Sequence, residues 1–415
     1  MRIATSQLYT STLQTMENQQ SQLLDIEQQV SSGMSLTTPG DDPVAAAQAV
    51  KLSATSATLN QYASNQNVAL SSLQLEDNTL SSVTSTMTSI SGLLTQAGDG
   101  SLNDQDRTAL AQQLQGERNQ LLSLANTTDT TGQYLFAGYQ ASTPPFTNQS
   151  GGGVQYAGDQ GQRLAQVSST RQISMSDTGT AVFMSVQAVG AAPVPAGSIN
   201  NKGTGTIGAV TVSDPSAASN STPYGIQFTT DATTGALDYQ VYDNSTTPPT
   251  AKGDAAPYTA GQPISLGTGM SVTISGTPSA GDSFTVTQAN QAGTDVFATI
   301  DSAIAALETP VQGDQAAAAT LQNQLSTAMT QMSNAFGNVT TIQASVGGRE
   351  NELQALQTVT STSSLQVQDN LTNLTGTDMI SAITQFEQLQ NALSASQKSF
   401  VQMQNLSLFQ YINPS

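Results

Sequence analysis

The chain has 415 residues and no cysteine, histidine or tryptophan. Without cysteine, disulfides and thiolate metal sites are excluded. Without histidine, the commonest general base and metal ligand is gone, and with it any histidine-ligated zinc protease. Charge is scarce as well. Only 9% of residues are Asp, Glu, Lys or Arg, against roughly 25% in ordinary globular chains. What charge there is has mostly one sign: ten basic residues against 29 acidic ones give a net −19. That balance repels phosphate backbones and argues against nucleic acid as a partner. No run of 18 apolar residues occurs, and the opening Met1-Arg2-Ile3-Ala4-Thr5-Ser6-Gln7 has no apolar signal-peptide core. The sequence therefore predicts no membrane span and no export by the general secretory route.

Gln, Ser, Thr, Asn and Ala fill the space that charge leaves. A neutral polar surface suits many identical copies packed side by side, because few charges lose water at each contact. The length predicts two or three domains.

Periodicity divides the chain into helical, Gly/Pro/Thr-rich and again helical parts. Alternating steps of three and four pick out Leu52, Thr55, Leu59, Tyr62, Gln66, Ala69, Leu73, Glu76, Leu80, Val83, Met87, Ile90 and Leu94, a heptad seam with polar interruptions. Asp41 and Asp42 are capping candidates before Pro43, which fits a first helical turn, and Gly98 and Gly100 supply a stop. A helix over about 43–97 would be roughly 80 Å long. Asn103 or Asp104 can cap a second helix carrying Leu110, Leu114, Leu121 and Leu124, antiparallel to the first. Seams recur at Leu321, Leu325, Ala328, Met332, Ala335, Val339, Ile342 and Val346, and resume beyond Gly347-Gly348 with Leu353 and Leu356. The last one runs through Ala382, Phe386, Leu389, Leu393, Ser396, Phe400 and Met403, and a weaker one opens the chain at Leu13, Met16, Leu23 and Val30.

From about 142 to 290, Gly, Pro, Thr and Ser punctuate short alternating runs such as Tyr239–Tyr242 and Ser271–Ile274, with Pro278–Asp282 as a turn. The expected fold is therefore α+β: a long antiparallel helical rod, coiled-coil-like and built from both chain ends, with an inserted all-β domain. The expected domains are 1–40 with 375–415, 41–141 with 290–374, and 142–289 as one body or two. The terminal pair has little apolar surface against an ordering cost of about 1–2 kcal/mol per residue. It is expected to order only beside neighbours, not in an isolated monomer. No catalytic, metal or cofactor residues are predicted. Carboxylates for a two-carboxylate hydrolase exist in the insertion (Asp214, Asp231, Asp238, Asp243, Asp282), but no spacing links them. The Gly151–Gly153 run lacks the lysine and helix start of a phosphate loop. Tyr134, Phe136, Tyr139 and Phe146 are expected to plug the space between helices and sheet.

The stretch Ser31–Ala47, containing Thr38-Pro39-Gly40-Asp41-Asp42-Pro43, resembles the N-terminal signature of the flagellin superfamily. Within it, Gly132-Gln133-Tyr134-Leu135-Phe136-Ala137-Gly138, followed by Thr143-Pro144-Pro145-Phe146, is similar to the hook-associated subunits, as is the ending Leu389–Phe400 with Leu406–Ile412. Flagellins would carry Ala rather than Pro after the Asp pair. The match spans about 1–140 and 290–415. Shorter likenesses lie at Val154–Asp159 and Gly276–Val286, and 190–260 resembles nothing informative.

The resemblance implies a structural, non-enzymatic subunit that joins hook to filament and leaves the cell through the flagellar type III apparatus. It implies four partners: copies of the chain in a ring, a second hook-associated protein on the hook side, flagellin on the filament side, and a cytoplasmic export chaperone at the C-terminal segment. The residues expected to make assembly and chaperone contacts are Phe386, Leu389, Leu393, Phe400, Met403, Leu408 and Phe409. Asp41, Asp42 and Pro43 are expected to start a helix. Tyr134, Leu135, Phe136, Gly138, Pro145 and Phe146 carry the family motif. The alternatives are the filament subunit itself, or an adhesin or enzyme carried by the insertion.

Overall fold

The computed structural model describes residues 2–149, 153–187 and 190–412, and the side chains of all of these except 2–6, 8 and 405–412. Three helices open the chain: α1 (Arg2–Ser32), α2 (Pro43–Ala97) and α3 (Asp104–Ala125). Two hairpins follow, β1 (Phe146–Asn148) with β2 (Val154–Tyr156) and β3 (Leu164–Gln166) with β4 (Gln172–Ser174), and then the single turn of α4 (Gly179–Phe183). The remaining strands are β5 (Val194–Gly197), β6 (Thr206–Ile207), β7 (Thr211–Val212), β8 (Tyr224–Thr230), β9 (Leu237–Asp243), β10 (Thr250–Pro257), β11 (Pro263–Ser265), β12 (Met270–Ser275) and β13 (Ser283–Thr287). Helices α5 (Val296–Glu308), α6 (Gln315–Thr375) and α7 (Met379–Ile412) close the chain. The fold class is α+β, with long helices from both ends around a β-rich middle. α6 runs through Gly347-Gly348 without a break.

The chain forms two compact units, 1–64 with 355–415 and 65–354, so both α2 and α6 contribute to each. In the unit 65–354, the seam of α2 is buried at every heptad step from Gln66 to Leu94. Leu321, Leu325, Ala328, Met332, Ala335, Val339 and Val346 of α6 are buried too. Gln343 donates to Asp77 at 3.1 Å, while Ala97 shares a hollow with Leu321 and Leu325. Within this unit the two helices therefore run antiparallel. α3 packs on α5, and the buried Arg118 ties them by pairing with Asp301 while donating to Asn148.

Two sheets, ordered β10-β9-β8-β13-β5 and β11-β12-β6, enclose a core that includes Tyr224, Ile226, Phe228, Met270, Ile274 and Phe284. The antiparallel pairing of β5 with β13 joins Val194 to Thr287, so this body leaves the helical part and returns to it at one place. α6 holds its main chain through buried amides. Asn323 donates to Gly205 O and accepts from Ile207 N, and Asn334 exchanges both bonds with Ala192. Lower down, Asn338 donates to Ala181 O and Val182 O. Each amide repays its burial by satisfying irregular backbone that would otherwise lack partners.

In the unit 1–64 with 355–415, α1 packs along α7. Beyond α1, Gly33 turns at φ +71°, and an antiparallel bridge joins Met34 to Gly376. Ser35 N donates to Thr375 O at 2.7 Å and Thr377 N donates to Gly33 O at 3.1 Å, which staples the two helix ends together.

Candidate assembly site

The start of α2 divides the labour of its two aspartates. Asp42 Oδ1 accepts from Val44 N and Ala45 N at 2.9 and 3.0 Å, an N-cap with Pro43 in the first turn. Asp41 does not cap the helix, contrary to its reading as a cap candidate. Its carboxylate accepts from Thr37 N and Thr38 N at 3.0 and 2.8 Å and closes the preceding turn. The backbone bond from Thr38 is the main cause that holds the Asp41 carboxyl below its ordinary range.

Along α7, the seam residues Phe386, Leu389, Leu393, Phe400 and Met403 are half-buried, and Ala382 is buried. They line the side that packs on α1: the Phe400 ring lies 5.0 Å from that of Tyr9, tilted by 38°, and Leu389 shares a groove with Ile26 and Gln29. Ile26, absent from the sequence reading of this seam, is its most buried residue among the described side chains of α1. Met379 and Ile383 stand 40% and 45% exposed and Ile380 81% exposed, on a face that α1 leaves open. The side chains of Leu408 and Phe409 lie outside the described residues.

The 134–146 motif builds a different kind of site. Phe136 and Phe146 are buried, and Phe146 meets Phe183 edge-on at 5.4 Å and Phe297 at 5.6 Å. Leu135, Gly138 and Pro145 are buried around them, and Tyr134 is half-buried. Tyr139 corrects the expectation: at 68% exposed it is not part of the plug. Its N–H and that of Gly161 both donate to Asp159, whose carboxyl they hold below its ordinary range. Tyr156 donates to Phe136 O and Asp159 O at 3.0 and 2.8 Å, and burial pushes its phenol up. The plug thus consists of Phe136, Phe146, Phe183 and Phe297. The last two were missed because nothing in a local pattern links α4 and α5 to a motif so distant in sequence, with Phe297 beyond the whole β-rich middle. The α6 asparagines were missed too, although 323, 334 and 338 fall near heptad spacing beside the apolar seam.

Among the described residues no cluster of three carboxylates could hold a metal ion, and no helix is long and apolar enough to cross a membrane.

The arrangement is one of packing faces. Residues 3–141 match the bacterial flagellin N-terminal helical region. The chain is 29% identical to flagellar hook-associated protein 3 of Salmonella typhimurium over 410 residues, 99% of each chain. It superposes on the crystal structure of flagellar hook-associated protein 3 from Legionella pneumophila with a TM-score of 0.70, at 28% identity, over 78% of this chain and 98% of that one. The flagellar junction protein FlgL from the same organism gives 0.67, at 27% identity, over 80% and 100%. With a flagellin-type helical region over residues 3–141 and a likeness that runs from end to end, the chain is similar in sequence and in fold to flagellar hook-associated protein 3.

Proposed function

We propose that this chain is a structural subunit of the bacterial flagellum that forms the junction between hook and filament and catalyses no reaction. The observation that carries this reading is the end-to-end similarity to hook-associated protein 3, terminal helices included. The half-covered α1–α7 seam supports it, since two helices alone leave Phe386, Leu389, Leu393, Phe400 and Met403 partly in water. Further helices from neighbouring copies would complete their burial, each large side chain contributing about 1.5–3 kcal/mol when fully buried.

On this reading, copies of the chain form a ring between a second hook-associated protein and flagellin, outside the cell. Export runs through the flagellar type III apparatus. Before export, a cytoplasmic chaperone covers the C-terminal stripe from Met379 to Phe409, in the manner of a helix laid in a groove. Electron microscopy of a strain lacking the gene tests the function. Hooks without filaments are expected, restored by the gene in trans; filaments still attached to hooks would exclude the junction role.

A further inference from the structure

Two polar residues, Gln66 and Glu76, interrupt the buried stretch of the α2 seam, and both are fully buried. They lie about 15 Å apart along the helix, and each holds main chain of the segment 164–178 that contains β3 and β4. Gln66 Nε2 donates to Val167 O at 2.7 Å, helped by Asn65, which donates to Gln166 O at 2.8 Å. Glu76 Oε1 accepts from Asp177 N at 2.9 Å. α6 grips the same segment. Arg349 pairs with Asp177 and donates to Ser174 O at 3.2 Å, while Arg171 pairs with Glu352. Only Ala165, Val167 and Ile173 anchor the segment by apolar burial. It is a strap laid across two helices and held mainly by polar bonds.

Glu76 Oε2 is buried without a hydrogen-bond partner. The charged groups that act on it are Asp177 on the strap and Arg349 on α6; of the carboxylates next in sequence to these helix residues, Asp77 acts instead on Glu350. Burial first, and the Asp177 charge second, raise the Glu76 carboxyl from 4.5 to about 8; the Asp177 N–H bond, and after it Arg349, oppose this only in part. We propose that the strap is a proton-gated clamp: neutral Glu76 latches the Asp177 backbone to α2, and loss of its proton to solvent frees 164–178 from both helices. An ionised Glu76 puts a second anion beside Asp177, contending for one guanidinium, with an oxygen that has no donor. Opening hydrates it. Since the carboxyl regains its ordinary 4.5 on opening, the latch is fully held below that pH and weakens as pH rises, levelling off above about 8.

Hydrogen exchange on the full chain from about pH 6 to about pH 9, corrected for intrinsic rates, tests this. The opening constant of amides in 164–178 should rise about tenfold per pH unit up to about pH 8, while those of β8 and β9 stay constant. In Glu76→Gln the strap amides should show no pH dependence. A variant that follows the native profile, or a rise shared equally by β8 and β9, overturns the proposal. Should Glu76→Gln not fold, the carboxyl ¹³C resonance of Glu76 in the native chain decides: a midpoint near 8 supports the clamp, and one near 4.5 overturns it.

Discussion

Gly138 shows how one residue of a motif can be dictated by geometry. Its φ is +70°, and a Cβ there would run into the carboxylate and main chain of Asp159. Asp159 cannot easily yield, because it holds Tyr139 N and Gly161 N, and its carbonyl takes the Tyr156 hydroxyl. Gly138→Ala is therefore expected to destabilise the unit by about 2 kcal/mol or more, combining a left-handed alanine with overlap, as read by urea unfolding. A change under about 0.5 kcal/mol would mean that Asp159 moves aside. The neighbouring Tyr139 shows the limit of reading residues by type. Spacing puts four aromatics in one short stretch, but only the backbone turn at Gly138 decides that Phe136 points in and Tyr139 points out. That turn depends on Asp159, twenty residues on, and local sequence carries no sign of it.

At the scale of the element, periodicity reports which face of a helix is apolar, not how many neighbours cover it. The α2 seam read from the sequence is buried without a slip from Gln66 to Leu94, yet Thr55 is exposed and Leu52, Leu59 and Tyr62 are half-buried on the same heptad count. The helix start at Pro43 and the stop at Gly98 were legible because caps and glycines act locally. The α7 seam was equally legible, and its half-burial fits a face that waits for further helices. Phe386→Asp is expected to abolish incorporation into flagella while leaving far-ultraviolet circular dichroism nearly unchanged, since the 65–354 unit has a buried core of its own. Normal incorporation of the variant would place Phe386 away from any contact between copies.

For the whole molecule, the β body between β5 and β13 was recognisable as an insertion from its turn chemistry, but how it is held was not. Docking rests on Asn323 and Asn334 together with Thr327, which donates to Pro195 O at 2.7 Å. Side chains that bond backbone leave no periodic signature in the segment they bond. Replacing 191–288 by a short Gly/Ser linker should preserve the helical dichroism, since Val194 and Thr287 are paired neighbours and the freed amides of α6 turn to water. Collapse of the helical signal would show that the β body supports the helices.

Because α6 reads the main chain of the β body, it sets few demands on the side chains presented there. Substitutions across 198–282 that keep the strands and the Asp282 turn should leave the docking untouched, whereas Asn323 and Asn334 have no such freedom. The outward part of the molecule can thus drift in sequence, or be exchanged for another β body of equal span, while the helices beneath keep theirs.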